Sequence, residues 1–222
     1  NIYIVQGNIM SEFGYIPDSS VEQKPFSNKG IFSPKDIYNL DQADKWTPQL
    51  GQLELIETVT ADNTVAFYDF DNLGDYKTHF ITANNIQGSS TTGQNLDIRV
   101  KVGGTVQTSN YKFAQQLGGS QGTFSESRSD SYSQFIWLSN VDNETNASAS
   151  GYAYIYNATD STQHTHTTHM GVFHQGTFLP RFSYGGSVHF STVQASGIRV
   201  FLGVDGNVKD GVISFYGIKE YE

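Results

Sequence analysis

The chain has 222 residues and no cysteine, so disulfide staples and thiolate metal sites are excluded. A formal net charge of −9 with no Lys/Arg-rich run argues against a surface that holds nucleic acid. Hydrophobic residues make up 37% and aromatics 14%, enough for one large core, while charged residues are only 16% and glycines number 22. Little helix-favouring Lys, Glu or Arg and much Gly, Ser, Thr and Asn point to short strands and many turns. No apolar stretch approaches the ~20 residues of a membrane span, so no insertion into a membrane is expected.

Residues 1–50 stand apart as an N-terminal attachment arm or linker. Asn1-Ile-Tyr-Ile-Val-Gln has neither a basic opening nor a long apolar run, and does not read as a signal peptide. Pro17, Pro25, Pro34 and Pro48 fall in this region, where apolar residues come singly. Ser33-Pro34 supplies an N-cap and an N1 proline for a short helix toward Lys45. The remainder reads as an extended arm ordered by partners, with Trp46 as an aromatic anchor. A ragged first strand with loops is the alternative.

Residues 51–222 carry a period of two. Leu96, Ile98, Val100 and Val102 alternate with Asp97, Arg99 and Lys101, as a strand with one wet face does. Ile198, Val200 and Leu202 repeat the pattern. Tyr152, Tyr154 and Tyr156 form a row on one sheet face, preferably buried between sheets, otherwise free to stack on sugar rings. Further strands are expected over residues 53–60, 65–70, 77–86, 105–114, 132–138, 170–174, 187–193 and 212–219. Asn72-Leu-Gly74, Gln87-Gly88, Gly103-Gly104, Asp205-Gly206-Asn207 and Asp210-Gly211 mark turns. About ten short strands without strand–helix–strand alternation predict an all-β sandwich or barrel. The Gly/Ser-rich segment Gly118–Asp130 reads as a long surface loop.

The tests for chemistry are mostly negative. Gly118-Gly-Ser120-Gln-Gly122 matches the letters of a nucleophile elbow, but nothing around it offers the required strand and helix. Asp69-Phe-Asp71-Asn72-Leu-Gly74-Asp75 places Leu73 and Phe80 where a calcium loop needs oxygen ligands. Asp69, between Tyr68 and Phe70, is the one carboxyl in an apolar context. His164-Thr-His166 puts two imidazoles on one side of an extended segment. One chain provides too few ligands for a closed site, but three chains around a three-fold axis would present six nitrogens to one ion. No other cofactor is expected.

Several segments, taken in order, resemble a module of tailed-bacteriophage virion proteins. They are Tyr76-Lys-Thr-His-Phe-Ile-Thr-Ala-Asn-Asn-Ile86, Leu96-Asp-Ile-Arg-Val, Tyr111-Lys-Phe-Ala, Gly151-Tyr-Ala-Tyr-Ile-Tyr-Asn, Gly197-Ile-Arg-Val-Phe-Leu and the closing Gly211-Val-Ile-Ser-Phe-Tyr-Gly-Ile-Lys219. The last is the most specific, similar to a G-x-I-x-L/F-Y-G-I-K strand. The resemblance implies a jelly-roll-like fold and a virion location on a fibre, spike or head decoration. It carries no catalytic residues, and the chain is expected not to be an enzyme. The implied partners are copies of the chain in a homotrimer, further virion proteins through residues 1–50, and a host-surface glycan.

In the closing strand Ile213 and Phe215 would face inward and Tyr216 and Ile218 the opposite side, leaving both faces apolar. Such a strand is central or lies under a neighbouring subunit, which makes Phe215, Tyr216 and Ile218 candidate assembly residues. Gly217 leaves room for a backbone or an aromatic ring. The candidate binding loops hold Gly118, Ser120 and Gly122, and also Thr159 and Thr165. A carbohydrate-binding module of a secreted protein is the alternative; the sequons at Asn143, Asn146 and Asn157 permit glycosylation but count little in a chain so rich in Asn, Ser and Thr. A polysaccharide depolymerase ranks last, since no repeat is visible.

Overall fold

The computed structural model describes residues 53–91, 93–143, 147–175, 179–203 and 206–219, with Lys35, Tyr38 and Gln42 as isolated positions. The chain divides into two compact units, Asn1–Gly51 and Gln52–Glu222. Lys35, Tyr38 and Gln42 have helical backbone and are exposed. The rest of the expected arm, including Trp46, lies outside the described residues.

The second unit is an all-β, jelly-roll-like antiparallel sandwich. Its strands are β1 (Leu53–Thr60), β2 (Phe67–Phe70), β3 (Thr78–Gly88), β4 (Gln94–Val102), β5 (Thr105–Val106), β6 (Tyr111–Gly119) and β7 (Phe124–Tyr132). There follow β8 (Phe135–Val141), β9 (Ala149–Tyr156), β10 (Thr165–Gln175), β11 (Leu179–His189), β12 (Gly197–Leu202) and β13 (Val208–Ile218). One sheet has eight strands in the order β1-β13-β3-β9-β10-β11-β6-β7. The other runs β2-β12-β4-β5, with β8 also paired to β4.

Alternation fills the space between the sheets. Ile81, Ala83, Ala153, Ile155, Ile213 and Phe215 point inward from the larger sheet, all 1% exposed or less. Ile98, Val100, Ile198 and Val200 meet them from the smaller one. Strand β8 is buried along almost its whole length, as its continuous apolar run Phe135-Ile-Trp-Leu138 requires. The side chain of Leu138 presses into a dent made by Gly151 and Gly171, which face each other across β9 and β10. A Cβ on Gly151 would lie 2.5 Å from Leu138 Cδ2.

Strand β13 pairs with β1 on one side and β3 on the other, so it is not an edge. Phe215 stacks on His79 at 5.2 Å and meets Phe70 at 5.3 Å. It is a core residue of its own subunit, which corrects its expected role in assembly. Tyr216 and Ile218 are half-buried on the opposite face. The ring of Tyr76 occupies the space that a Cβ on Gly217 would need, the close approach the sequence anticipated.

Further expectations are corrected. The segment Gly118–Asp130 is not a loop: β6 and β7 form a hairpin through it, with Gly118 buried in β6 opposite Phe124 and only residues 120–123 turning. Gly122, at φ +77, supplies the left-handed turn position. The run 105–114 breaks into β5 and β6, and 132–138 divides between the end of β7 and β8. Asp210-Gly211 is no turn but a point inside β13 where the register against β3 shifts, a bulge. Thr165 belongs to β10 and is fully buried, so it is no loop-tip ligand. Finally, the row Tyr152–Tyr156 is not between the sheets, for Tyr152 is 39% exposed and the other two are half-buried on the outer face. The wet face expected of β4 is also roofed at two points, Asp97 and Lys101 being buried.

Candidate functional site: an aromatic band on the larger sheet

The register of the eight strands fixes which outward residues lie side by side. One row runs Leu55, Tyr216, Phe80, Tyr154, Thr168 across β1, β13, β3, β9 and β10. The next runs Thr58, Ser214, Thr82, Tyr152, Met170, Tyr184, Gln116, Glu126 from β1 to β7. Beyond it, Val172 faces Phe182, which faces Gly118 beside Phe124.

These side chains touch in series. The Phe80 ring lies 4.9 Å from Tyr154, 5.9 Å from Tyr152 and 6.1 Å from Tyr216. Tyr152 Oη donates to Met170 Sδ at 3.7 Å. Phe182 stands 6.3 Å from both Tyr184 and Phe124. Leu55, Met170, Val172, Tyr184 and Phe124 are all more than 40% exposed. The outcome is a diagonal apolar band from one edge of the sheet to the other. At its β7 end lies a groove of about 390 Å³, walled by Tyr184, Gln116, Glu126 and Arg128. There Tyr184 Oη donates to Gln116 Oε1 at 2.6 Å.

The sequence placed this band poorly because β10 inverts the usual alternation. Its inward positions are Thr165, Thr167, His169, Gly171 and Phe173, and its outward ones include Met170 and Val172. Polar residues also line the facing side of β11, where Ser183, Ser187 and His189 are buried. Burial depresses the pKa of His169 to about 4 and lowers that of His189. The signal that was available is the pair of exposed apolar runs, His-Met-Gly-Val and Phe-Ser-Tyr, sharing a period of two with the three tyrosines.

The other candidates fare as follows. Ser120 is exposed in the β6–β7 turn, its N–H donating to Pro180 O at 3.1 Å, with no helix behind it. Gly122 is exposed beside it. Thr159 is half-buried and donates to Tyr76 O at 2.9 Å. His164 stacks on Phe190 at 4.4 Å, and His166 is exposed on β10. Within one chain, no group of three or more metal-ligating side chains is present among the described residues. Among those residues no helix is long and apolar enough to cross a membrane.

Among the described residues the carboxyl with a raised pKa is Asp97, not Asp69. Asp69 is held low by a forked contact from Arg199, 2.7 Å at each oxygen, and by Lys101 at 2.9 Å. Asp97, 1% exposed, is pushed up to about 7 by burial. Gln134 Nε2 at 3.0 Å, the Trp137 backbone N–H and the charge of Arg99 oppose that rise. None of the groups acting on it is a second carboxylate, the partner that glycoside hydrolysis requires. Compared with protein-family models, curated proteins and solved structures, the chain matches none.

Proposed function

We propose that the chain is a structural protein of a bacteriophage particle, a fibre, spike or head decoration, which works by docking rather than by catalysis. The observation that carries this reading is the aromatic band laid over the outer face of an otherwise closed sandwich. Contiguous exposed apolar patches of this extent mark interaction surfaces. The phage-like closing strand supports it, being the strand that brings Tyr216 into the band. Under this reading the protein resides on the virion, assembles with copies of itself, and joins other virion proteins through residues 1–50. A net charge of −9 disfavours contact with the packaged nucleic acid.

The test is mass spectrometry of purified particles, paired with deletion of residues 1–50. The chain is expected among the virion proteins, and the deletant is expected to fold yet fail to join the particle. Absence from particles overturns the reading, and incorporation of the deletant overturns the role given to the arm.

The groove at Tyr184 favours a second reading, a glycan-binding module. It sets an exposed ring beside an amide, a carboxylate and a guanidinium, the groups that sugars use. Glycan-array binding lost in Tyr184→Ala would support it.

A further inference from the structure

We propose that the aromatic band is the contact between copies of this chain, sheet face against sheet face. This rests on the docking reading above and names the partner. The first argument is size. Eight strands at ~4.8 Å spacing make the face roughly 34 Å long, and four outward rows at ~6.6 Å make it about 20 Å wide. That is close to the ~800 Å² per partner of a stable protein–protein contact, and far more than a sugar covers. A second copy offers a face of the same length and the same side-chain pattern, and sheets pack face to face at about 10 Å.

The second argument is charge. A chain of net charge −9 meets its like only where charge is sparse. From β1 through β11 the rows through Tyr216, Tyr152 and Tyr156 hold no carboxylate, lysine or arginine. Lys112, Glu126 and Arg128 stand together at the β6–β7 end. The third is shape. The rings around Phe80 are tilted 39–44° to it, so they present edges and gaps. Such a surface interdigitates with another like it, whereas a sugar needs a ring lying flat.

The experiment is light scattering on the full chain after size-exclusion chromatography, at micromolar concentration, with Met170→Glu and Tyr152→Glu compared with wild type. The wild type is expected to be a dimer, because a face that meets its own copy closes on a two-fold axis. Burying a carboxylate in the band should weaken self-association at least about 100-fold, giving monomers. Circular dichroism checks that the variants fold. Should they not, Met170→Cys, the only thiol in the chain, reports instead: maleimide should label it slowly in the oligomer and at the rate of a free thiol in the diluted monomer. A wild type that is monomeric, or an oligomer untouched by both variants and with a freely reactive Met170→Cys thiol, overturns the proposal. A monomer whose band binds a glycan or another virion protein also overturns it, while leaving the particle assignment standing. An oligomer held by the band in a chain absent from particles does the reverse.

Discussion

Asp97 and His169 are buried titratable groups with opposite leverage on stability. Asp97 ionises near 3.8 when unfolded and near 7 in the fold, so the native state holds an extra proton between those values. Its contribution therefore falls as pH rises across that window and is flat above it. His169 ionises near 6.5 when unfolded and about 4 when folded, so here the unfolded state holds the extra proton. Stability then rises with pH from 4 to 6.5, and the lowered pKa values of His79 and His189 act in the same direction. The two effects oppose each other below pH 6.5. Urea denaturation should show Asp97→Asn more stable than wild type at pH 8 by on the order of 4 kcal/mol, the gap closing by pH 4. An equal gap at both pH values would mean that Asp97 is not the group responsible. Neither burial was legible in the sequence. Asp97 sits among Leu, Ile and Arg in a run that reads as half wet, and the residues that roof it, Gln134 and Trp137, are 37 and 40 positions away.

Among the elements, the β9–β10 pair and the β6–β7 hairpin show what local pattern can and cannot announce. Gly151 and Gly171 look like strand-weakening glycines, yet their facing Cα atoms make the dent that seats Leu138 of the other sheet. Gly171→Ala is expected to cost about 1–3 kcal/mol, as overpacked cores do. Pairing it with Leu138→Ala should recover part of that loss, a coupling that a double-mutant cycle in thermal denaturation would read. Additive losses would place the strain elsewhere. In the sequence the hairpin reads as a loop because β7 (FSESRSDSY) lacks large apolar residues between its ends. An edge strand needs few, because its hydrogen bonds come from β6 and one of its faces is wet. Its Ser and charged residues still alternate with period two, a signal that composition masked.

For the whole molecule, the two edges of the larger sheet are the places where uncontrolled pairing would begin. Glu54 and Glu57 guard β1, and Glu126, Arg128 and Asp130 guard β7. Replacing Glu126 and Arg128 together by valine should leave the melting temperature nearly unchanged but produce concentration-dependent aggregation by light scattering. Soluble behaviour equal to wild type would mean that the charges do not protect the edge. The sequence alone determined the all-β class and most strand positions, because period two and turn residues are local properties; it left the closing strand either central or under a neighbouring subunit, and the pairing with β1 and β3 made it central. The outward turn of the tyrosine row, the inverted alternation of β10 and the roofing of Asp97 were decided only by tertiary structure. A period of two states which residues share a face; which face meets the core depends on the opposing sheet, and that is not written in any one strand.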